Sequence, residues 1–353
     1  MKTVEHVPLR IGIVGCGRAT TGLHLPALQF VPGAQVVALA DPVQESLNHA
    51  SELFQVKRCV ADYRLLLEDP TIDAIAIFVP AQLHVEIALA ALDAGKHLFI
   101  EKPLALTLDE CDQLIERAAN LPLQVMLGFN TRCHRFARQV RSMIEQNTLG
   151  PLEVVRSVLT SCHHDVPEWR KRRASGGGVL LEMAIHHFDL WRYLVHEEVA
   201  EISAFSRTGT WEDESATVTA RFGSGVLASA TFAERTSQYN GIEIYGRSGS
   251  LNVSFYRFDG LETAISSDIP GNIRARIKGL KRFVKEFPGA IQRLRHGGEW
   301  HQSYLQEWRN FVDSVRTGKP VECGLEDGRK ALAVALAAIE SAATGKAIAV
   351  ASR

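Results

Sequence analysis

No apolar run in the chain approaches the roughly 18 residues a membrane-crossing helix requires. The nearest, Ala331 to Ile339, ends at Glu340. The opening MKTVEHVPLR has no apolar core, so no secretion signal is expected. Cysteine is scarce, and the six residues at 16, 59, 111, 133, 162 and 323 form no CxxC pair and no zinc spacing. They read as reduced thiols of a cytoplasmic protein, which excludes a disulfide scaffold and a zinc finger. Neither sign of charge dominates: 39 Lys and Arg face 40 Asp and Glu, a formal net charge of -1. The chain as a whole has no pull toward nucleic acid or an anionic membrane, and neither is expected as a partner. No internal repeat is visible. What remains is an ordinary globular composition, 46% hydrophobic and 22% charged over 353 residues, which predicts two domains.

The first third alternates short apolar runs with amphipathic stretches. RIGIVG (10–15), AQVVALAD (34–41), a short run at 57–60, AIAIFV (74–79), HLFIE (97–101) and LQVMLGF (123–129) read as strands. Helices are expected at 25–31, 45–54, 63–68, 84–94 and 107–119. The last of these opens with Thr107 and has Glu110 three residues on, a capping box. Strands alternating with helices imply a parallel sheet with helices on both faces, an α/β domain that is Rossmann-type if a phosphate-binding turn follows its first strand. Beyond a helix at 132–146 the pattern changes. Runs at 153–160, 200–207, 215–222, 225–234, 241–246 and 250–257 have strand character with glycine turns between several. They predict a large, open, mainly antiparallel sheet in an α+β domain, interrupted by a helix near 179–194. Helices at 301–315 and 325–343 follow. The boundary falls near Phe129-Asn130, giving domains 1–129 and 130–353.

The first strand runs into Gly15-Cys16-Gly17-Arg18-Ala19-Thr20. Gly15 permits a sharp turn, and Gly17 lets the backbone approach a pyrophosphate seated at the N-terminus of the next helix. Thr20 occupies the third glycine slot of GxGxxG. Asp41 ends the second strand, 21 residues past Thr20, where a carboxylate binds the adenosine ribose hydroxyls. That carboxylate repels a 2′-phosphate, which favours NAD over NADP. Arg18 is the cation that keeps NADP open.

Glu101-Lys102-Pro103 follows the HLFI strand directly. Ligands of open parallel sheets bind at the carboxyl ends of strands, so Lys102 points toward the cofactor crevice. A lysine there can hydrogen-bond a substrate hydroxyl and stabilise an alkoxide. Together, GIVGCGR, the Asp ending the second strand, FVPAQLHVEIALAALDAGKHLFIEKPLALT and GFNTR resemble the glucose-fructose oxidoreductase / inositol 2-dehydrogenase / rhizopine-catabolism (Gfo/Idh/MocA) family. The later RTGKP and SAATGKAI segments fit as well. The resemblance implies that Lys102 is catalytic. It also implies that Pro80 and His84 lie near the nicotinamide, with Glu101 among the cofactor-binding residues and Asn130 at the substrate.

The second informative stretch is GGGVLLEMAIHHFD (176–189). Glu182 and His186 are four apart and His186 and Asp189 three apart, spacings that share a helix face. A carboxylate beside an imidazole raises its basicity and gives a general base near neutral pH. The stretch resembles the family pattern GGGxLxDxGxHxxD, which puts the catalytic histidine at His186. Glu182 stands for the usual Asp and Ala184 for the usual Gly. His187 is expected to face outward. The resemblance implies that the preceding loop lines the substrate pocket, with Trp169 and Arg170 as contacts, and Asp189 is a further candidate. His163-His164-Asp165 is not expected to hold a metal, because adjacent histidines on a strand point apart and no third ligand is spaced to join them.

From 274 to 295 eight Lys or Arg residues stand against a single acid, Glu286; this reads as a solvated amphipathic helix. The expected function is NAD(P)-dependent hydride transfer between a nicotinamide and a secondary alcohol of a sugar, inositol or polyol derivative. The resemblance further implies a homodimer or homotetramer through the open sheet face. It leaves two alternatives: a member whose NAD is recycled internally, and a dinucleotide-sensing regulator without catalysis.

Overall fold

The computed structural model describes residues 7–162, 166–265, 273–295 and 297–351. They form two compact units. One is the chain up to Asn130 together with Tyr304–Arg329; the other is Thr131–Ser303 together with the chain from Lys330 onward.

The first unit holds a six-stranded parallel sheet: β1 (Leu9–Val14), β2 (Ala34–Ala40), β3 (Cys59–Val60), β4 (Ala74–Ile77), β5 (His97–Glu101) and β6 (Val125–Gly128), in the order β3-β2-β1-β4-β5-β6. That order reverses direction between β1 and β4, the crevice where dinucleotides bind. The central strands are apolar on both faces because helices cover both. Ile11, Ile13, all of β4 and Leu98, Phe99 and Ile100 have no exposed surface. The helix Leu108–Ala118 starts with the expected capping box between Thr107 and Glu110, a device worth about 1 kcal/mol. The helix His84–Asp93 stops before Gly95, whose φ of +73° other residues rarely adopt. Tyr304–Arg329, expected with the second domain, packs here instead. Trp308 stacks on Phe99 at 4.3 Å, with Phe311 edge-on to Phe99. An aromatic pair this distant in sequence leaves no local signal.

The second unit is built on eight strands: β7 (Leu152–Thr160), β8 (Val199–Arg207), β9 (Ser215–Phe222), β10 (Leu227–Ala233), β11 (Tyr239–Gly246), β12 (Gly249–Ser254), β13 (Leu261–Ile265) and β14 (Ile348–Ala349). The order is β13-β12-β11-β7-β10-β9-β8-β14, and the pairing is antiparallel except between β7 and β10. Alternation assigns the faces. In β9, Ala216, Val218, Ala220 and Phe222 point inward, whereas Thr217, Thr219 and Arg221 are exposed. The inner face meets the helix Ala184–Val195, where Phe188 lies 5.7 Å from Phe232 and Trp191 donates its indole N–H to Ser157 Oγ at 2.8 Å. Each such ring contributes about 1.5–3 kcal/mol by leaving water. The outer face mixes ion pairs (Arg156–Glu243, Arg221–Glu201) with exposed Phe205 and Leu227.

Two expected helices are broken. The one predicted over 132–146 is split into Asn130–Cys133 and Arg135–Glu145, because His134 leaves helical geometry (ψ 134°) and its Nδ1 caps the second piece by accepting from Phe136 N–H. The one near 179–194 is split at Met183 into Val179–Glu182 and Ala184–Val195. The basic stretch is a helix, Ile273–Leu294, with an exposed apolar row at Ile273, Ile277, Leu280, Val284, Phe287, Ile291 and Leu294. Arg135 pairs with its Glu286, and its Arg293 shares Glu299 with Arg135.

Candidate active site

The glycine-rich turn has the geometry its sequence demands. Gly15 has φ +95°, and a Cβ there would strike the Phe78 carbonyl. Gly17 is the opposite case: a Cβ would meet nothing within 4 Å, so its backbone lies open to a ligand. Thr20 fills the third glycine slot without loss. Fully buried, it donates its hydroxyl to Gly15 O at 2.6 Å and ties the turn to the helix that follows. That helix begins with a wide turn, Thr20–His24, before Leu25–Leu28, shorter than the predicted 25–31. Arg18 is exposed and Ala19 half-buried.

Asp41 closes the turn from β2. Its Oδ2 accepts from Cys16 N–H at 2.7 Å and its Oδ1 from Val43 N–H at 2.8 Å. A carboxylate has about four acceptor positions, so each oxygen keeps capacity for a ribose hydroxyl. The open backbone at Gly17 and this oriented carboxylate both fit a dinucleotide. Burial, then the Asp41 charge, push the Cys16 thiol up to about 12, which makes it inert.

Lys102 is half-exposed at the end of β5, and the peptide joining it to Pro103 is cis. Glu101, expected at the cofactor, spends both oxygens inside the protein. Oε1 meets His24 Nε2 at 2.9 Å and Oε2 accepts from Lys102 N–H at 3.0 Å. Burial alone would raise its pKa; the His24 hydrogen bond, the Lys102 charge and the Lys102 backbone N–H outweigh it and hold the carboxyl below the ordinary range. His84 also differs from expectation. It is 1% exposed, and its ring nitrogens face Pro103 O at 2.8 Å and Val79 O at 2.9 Å. It therefore braces the half-buried Pro80 turn against Pro103 and is not open to a cofactor. Burial holds its imidazole below the usual pKa.

In the second unit, Gly176, Gly177 and Gly178 form a hydrogen-bonded turn. Their N–H groups donate to Arg173 O, Arg172 O and Arg170 O. A Cβ on Gly177 would collide with the Arg170 carbonyl, so glycine is what lets the loop carrying Trp169 and Arg170 lie against the start of Val179–Glu182. Arg170 Nη2 then reaches Glu234 at 2.8 Å and Glu182 at 3.6 Å. Trp169, Arg170, Glu182 and His186 are all half-buried. Because of the break at Met183, Glu182 and His186 sit on successive helices, Val179–Glu182 and Ala184–Val195. The structure buries three of the expected residues. Asp189 is 1% exposed and is paired with Arg132. Asn130 is likewise 1% exposed. His187 faces the core with no exposed surface, its Nε2 3.0 Å from Asn240 Oδ1, and burial lowers its pKa to about 4. His163-His164-Asp165 lies outside the described residues.

Sequence reasoning missed His24. It is fully buried, stacked on Phe78 at 4.0 Å, and its Nδ1 lies 3.2 Å from Trp308 Nε1. Its spacing after the glycine turn carried no signal, since its partners stand 77 and 284 residues away.

Known proteins place these features in context. Residues 9–129 match a family model described as oxidoreductase family, NAD-binding Rossmann fold. Residues 141–350 match the C-terminal alpha/beta domain of the same oxidoreductase family. The chain is 31% identical over 342 residues to a myo-inositol 2-dehydrogenase of Thermotoga maritima, covering 94% of this chain and 96% of that protein. It is 27% identical to a levoglucosan dehydrogenase of Pseudarthrobacter phenanthrenivorans, covering 95% and 96%. A levoglucosan dehydrogenase structure in complex with NADH superposes with a TM-score of 0.84 at 23% identity, over 98% of this chain and 100% of that one; it shows a shared fold.

Proposed function

The chain belongs to the Gfo/Idh/MocA oxidoreductase family, and from that membership we propose that it transfers hydride between NAD and a secondary alcohol of a sugar, inositol or related polyol. The observation that carries the reading is Lys102 at the carboxyl end of β5, its backbone N–H held by Glu101, in the unit whose glycine-rich turn leaves the Gly17 backbone open. The curated relatives named for inositol and levoglucosan support the substrate class. Asp41 supports NAD over NADP, because its charge opposes a 2′-phosphate.

When bound, the nicotinamide supplies a hydride acceptor. Lys102 hydrogen-bonds the reacting hydroxyl and stabilises the charge that develops on its oxygen. His186 takes the hydroxyl proton, and Glu182 supports its basicity. Trp169 and Arg170 orient the substrate. We place the protein in the cytoplasm, supported by six free thiols, and as a homo-oligomer through the open sheet face, supported by Phe205 at 76% exposed and Leu227 at 51%. Loss of mass in light scattering by Phe205→Asp tests that interface.

The test of function is absorbance at 340 nm with NAD or NADP and a panel of sugars, inositols, sugar acids and sugar phosphates. Lys102→Met is run beside the wild type. Reduction that the variant abolishes, with NADH binding retained, supports the dehydrogenase. Full activity in Lys102→Met removes Lys102 from the chemistry. No reduction despite tight NADH binding supports an internally recycled cofactor or a regulator instead.

A further inference from the structure

We propose that His24 is a positioning residue for Lys102, acting through the Glu101 carboxylate; this rests on the reading of Lys102 as the lysine that meets the substrate hydroxyl. The hydrogen-bond chain fixes the histidine's tautomer. Trp308 Nε1–H can only donate, so the His24 Nδ1 3.2 Å away is the acceptor. The ring proton is therefore on Nε2, which faces Glu101 Oε1 at 2.9 Å and donates to it. The second oxygen, Oε2, holds Lys102 N–H at 3.0 Å. Trp308, His24, Glu101 and the Lys102 backbone thus form one continuous chain. Phe78 stacks on the imidazole at 4.0 Å and Tyr304 meets it edge-on at 5.2 Å, so the ring cannot swing away. Gly128 leaves the room: a Cβ there would come 2.9 Å from Glu101 Oε1.

The charges around Glu101 make the histidine matter. Lys102 and His24 favour its ionised form, while burial opposes it. Glu307 lies one residue before Trp308, has no exposed surface, and neither of its oxygens has a hydrogen-bond partner. Burial, then the nearby Glu101 and Glu322, hold the Glu307 carboxyl well above its ordinary pKa. Without the His24 donor, Glu101 would protonate at higher pH, and Lys102 N–H would lose an ionic acceptor. His24 also lies in the helix that follows the glycine-rich turn, so one residue connects that turn to the lysine.

The experiment compares His24→Phe, which keeps the aromatic stack and loses the donor, with His24→Gln, which keeps an N–H donor at similar reach. The readouts are kcat and KM across pH, NADH fluorescence titration and thermal melting, with Lys102→Met as reference. His24→Phe is expected to lower kcat by about ten- to a hundredfold, the worth of a hydrogen bond to a charged group. KM should change less, and the acid limb of kcat should move to higher pH. His24→Gln should recover most of the rate and the limb. If His24→Phe fails to fold, His24→Asn takes its place, its amide one methylene short, and should show the same shifted limb. Unchanged kcat and acid limb in His24→Phe, or in His24→Asn where it takes its place, with Lys102→Met inactive, overturn the proposal and leave the role of Lys102 standing. Equal losses at every pH in His24→Phe and His24→Gln also overturn it, in favour of simple packing. An active Lys102→Met overturns both.

Discussion

Arg132 holds both oxygens of the Asp189 carboxylate, Nε at 2.7 Å and Nη2 at 2.5 Å, with both side chains buried. A carboxylate so placed is scaffold for the helix Ala184–Val195. Asp189→Asn leaves a guanidinium buried without its bidentate partner, and removing one member of such a pair costs about 3–5 kcal/mol. Urea unfolding is expected to show that loss. A stability unchanged by the substitution would return Asp189 to the list of substrate contacts.

The two glycines of the turn separate folding from binding. Gly17→Val adds a side chain where nothing stands within 4 Å, so the melting temperature without cofactor should hold. NADH affinity, read by fluorescence, should fall by about tenfold or more, because the branched side chain occupies the pyrophosphate approach. Gly15→Ala should do the reverse. Its positive φ alone costs about 1–2 kcal/mol, and the Cβ collides with the Phe78 carbonyl. Normal NADH binding by Gly17→Val would move the cofactor away from this turn.

Asp41→Asn should weaken NAD binding by about tenfold while improving NADP relative to NAD, as judged by kcat/KM ratios. The effect on NAD has two parts: a weaker acceptor for ribose hydroxyls, and weaker tethers to Cys16 N–H and Val43 N–H. An unchanged NAD/NADP ratio would deny Asp41 its discriminating role.

His187 predicts a pH dependence of stability. Its folded pKa is about 4 against an ordinary 6.5, because burial disfavours the imidazolium. The unfolded chain therefore takes up a proton that the folded chain refuses. The histidine's contribution is complete above pH 6.5 and is lost as pH falls toward 4, about 3 kcal/mol in all. Denaturant unfolding across that window should show the decline. His187→Asn should make it shallower, with His84, His97 and His134, all depressed by burial, contributing to what remains. An identical slope in the variant would refute the assignment.

What the sequence made legible is what periodicity and short motifs encode. The apolar runs at β1, β4 and β5, the alternation in β9, the Thr107–Glu110 capping box and the glycine turn all appear where expected. Features set by distant partners were hidden. The parallel pairing of β7 with β10 depends on strand order, which no local pattern carries. β13 has four exposed residues among its five and lacks an apolar face to betray it. His186 and His187 are adjacent, and the partner that holds His187 in the core, Asn240, lies 53 residues later. Asp189 resembled a site acid because its partner, Arg132, lies 57 residues earlier.

The return of Tyr304–Arg329 to the first unit also bears on how the chain is made. The cofactor-binding unit is discontinuous in sequence, and Trp308 and Phe311 arrive only after the whole second sheet except β14 has been synthesised. Until then Phe99 lacks the indole that stacks on it, and His24 lacks its donor. A ribosome therefore releases most of the second unit before the first can close its aromatic core. A gene fragment ending at the obvious boundary near residue 130 would encode every strand of the parallel sheet and still leave that core open to water.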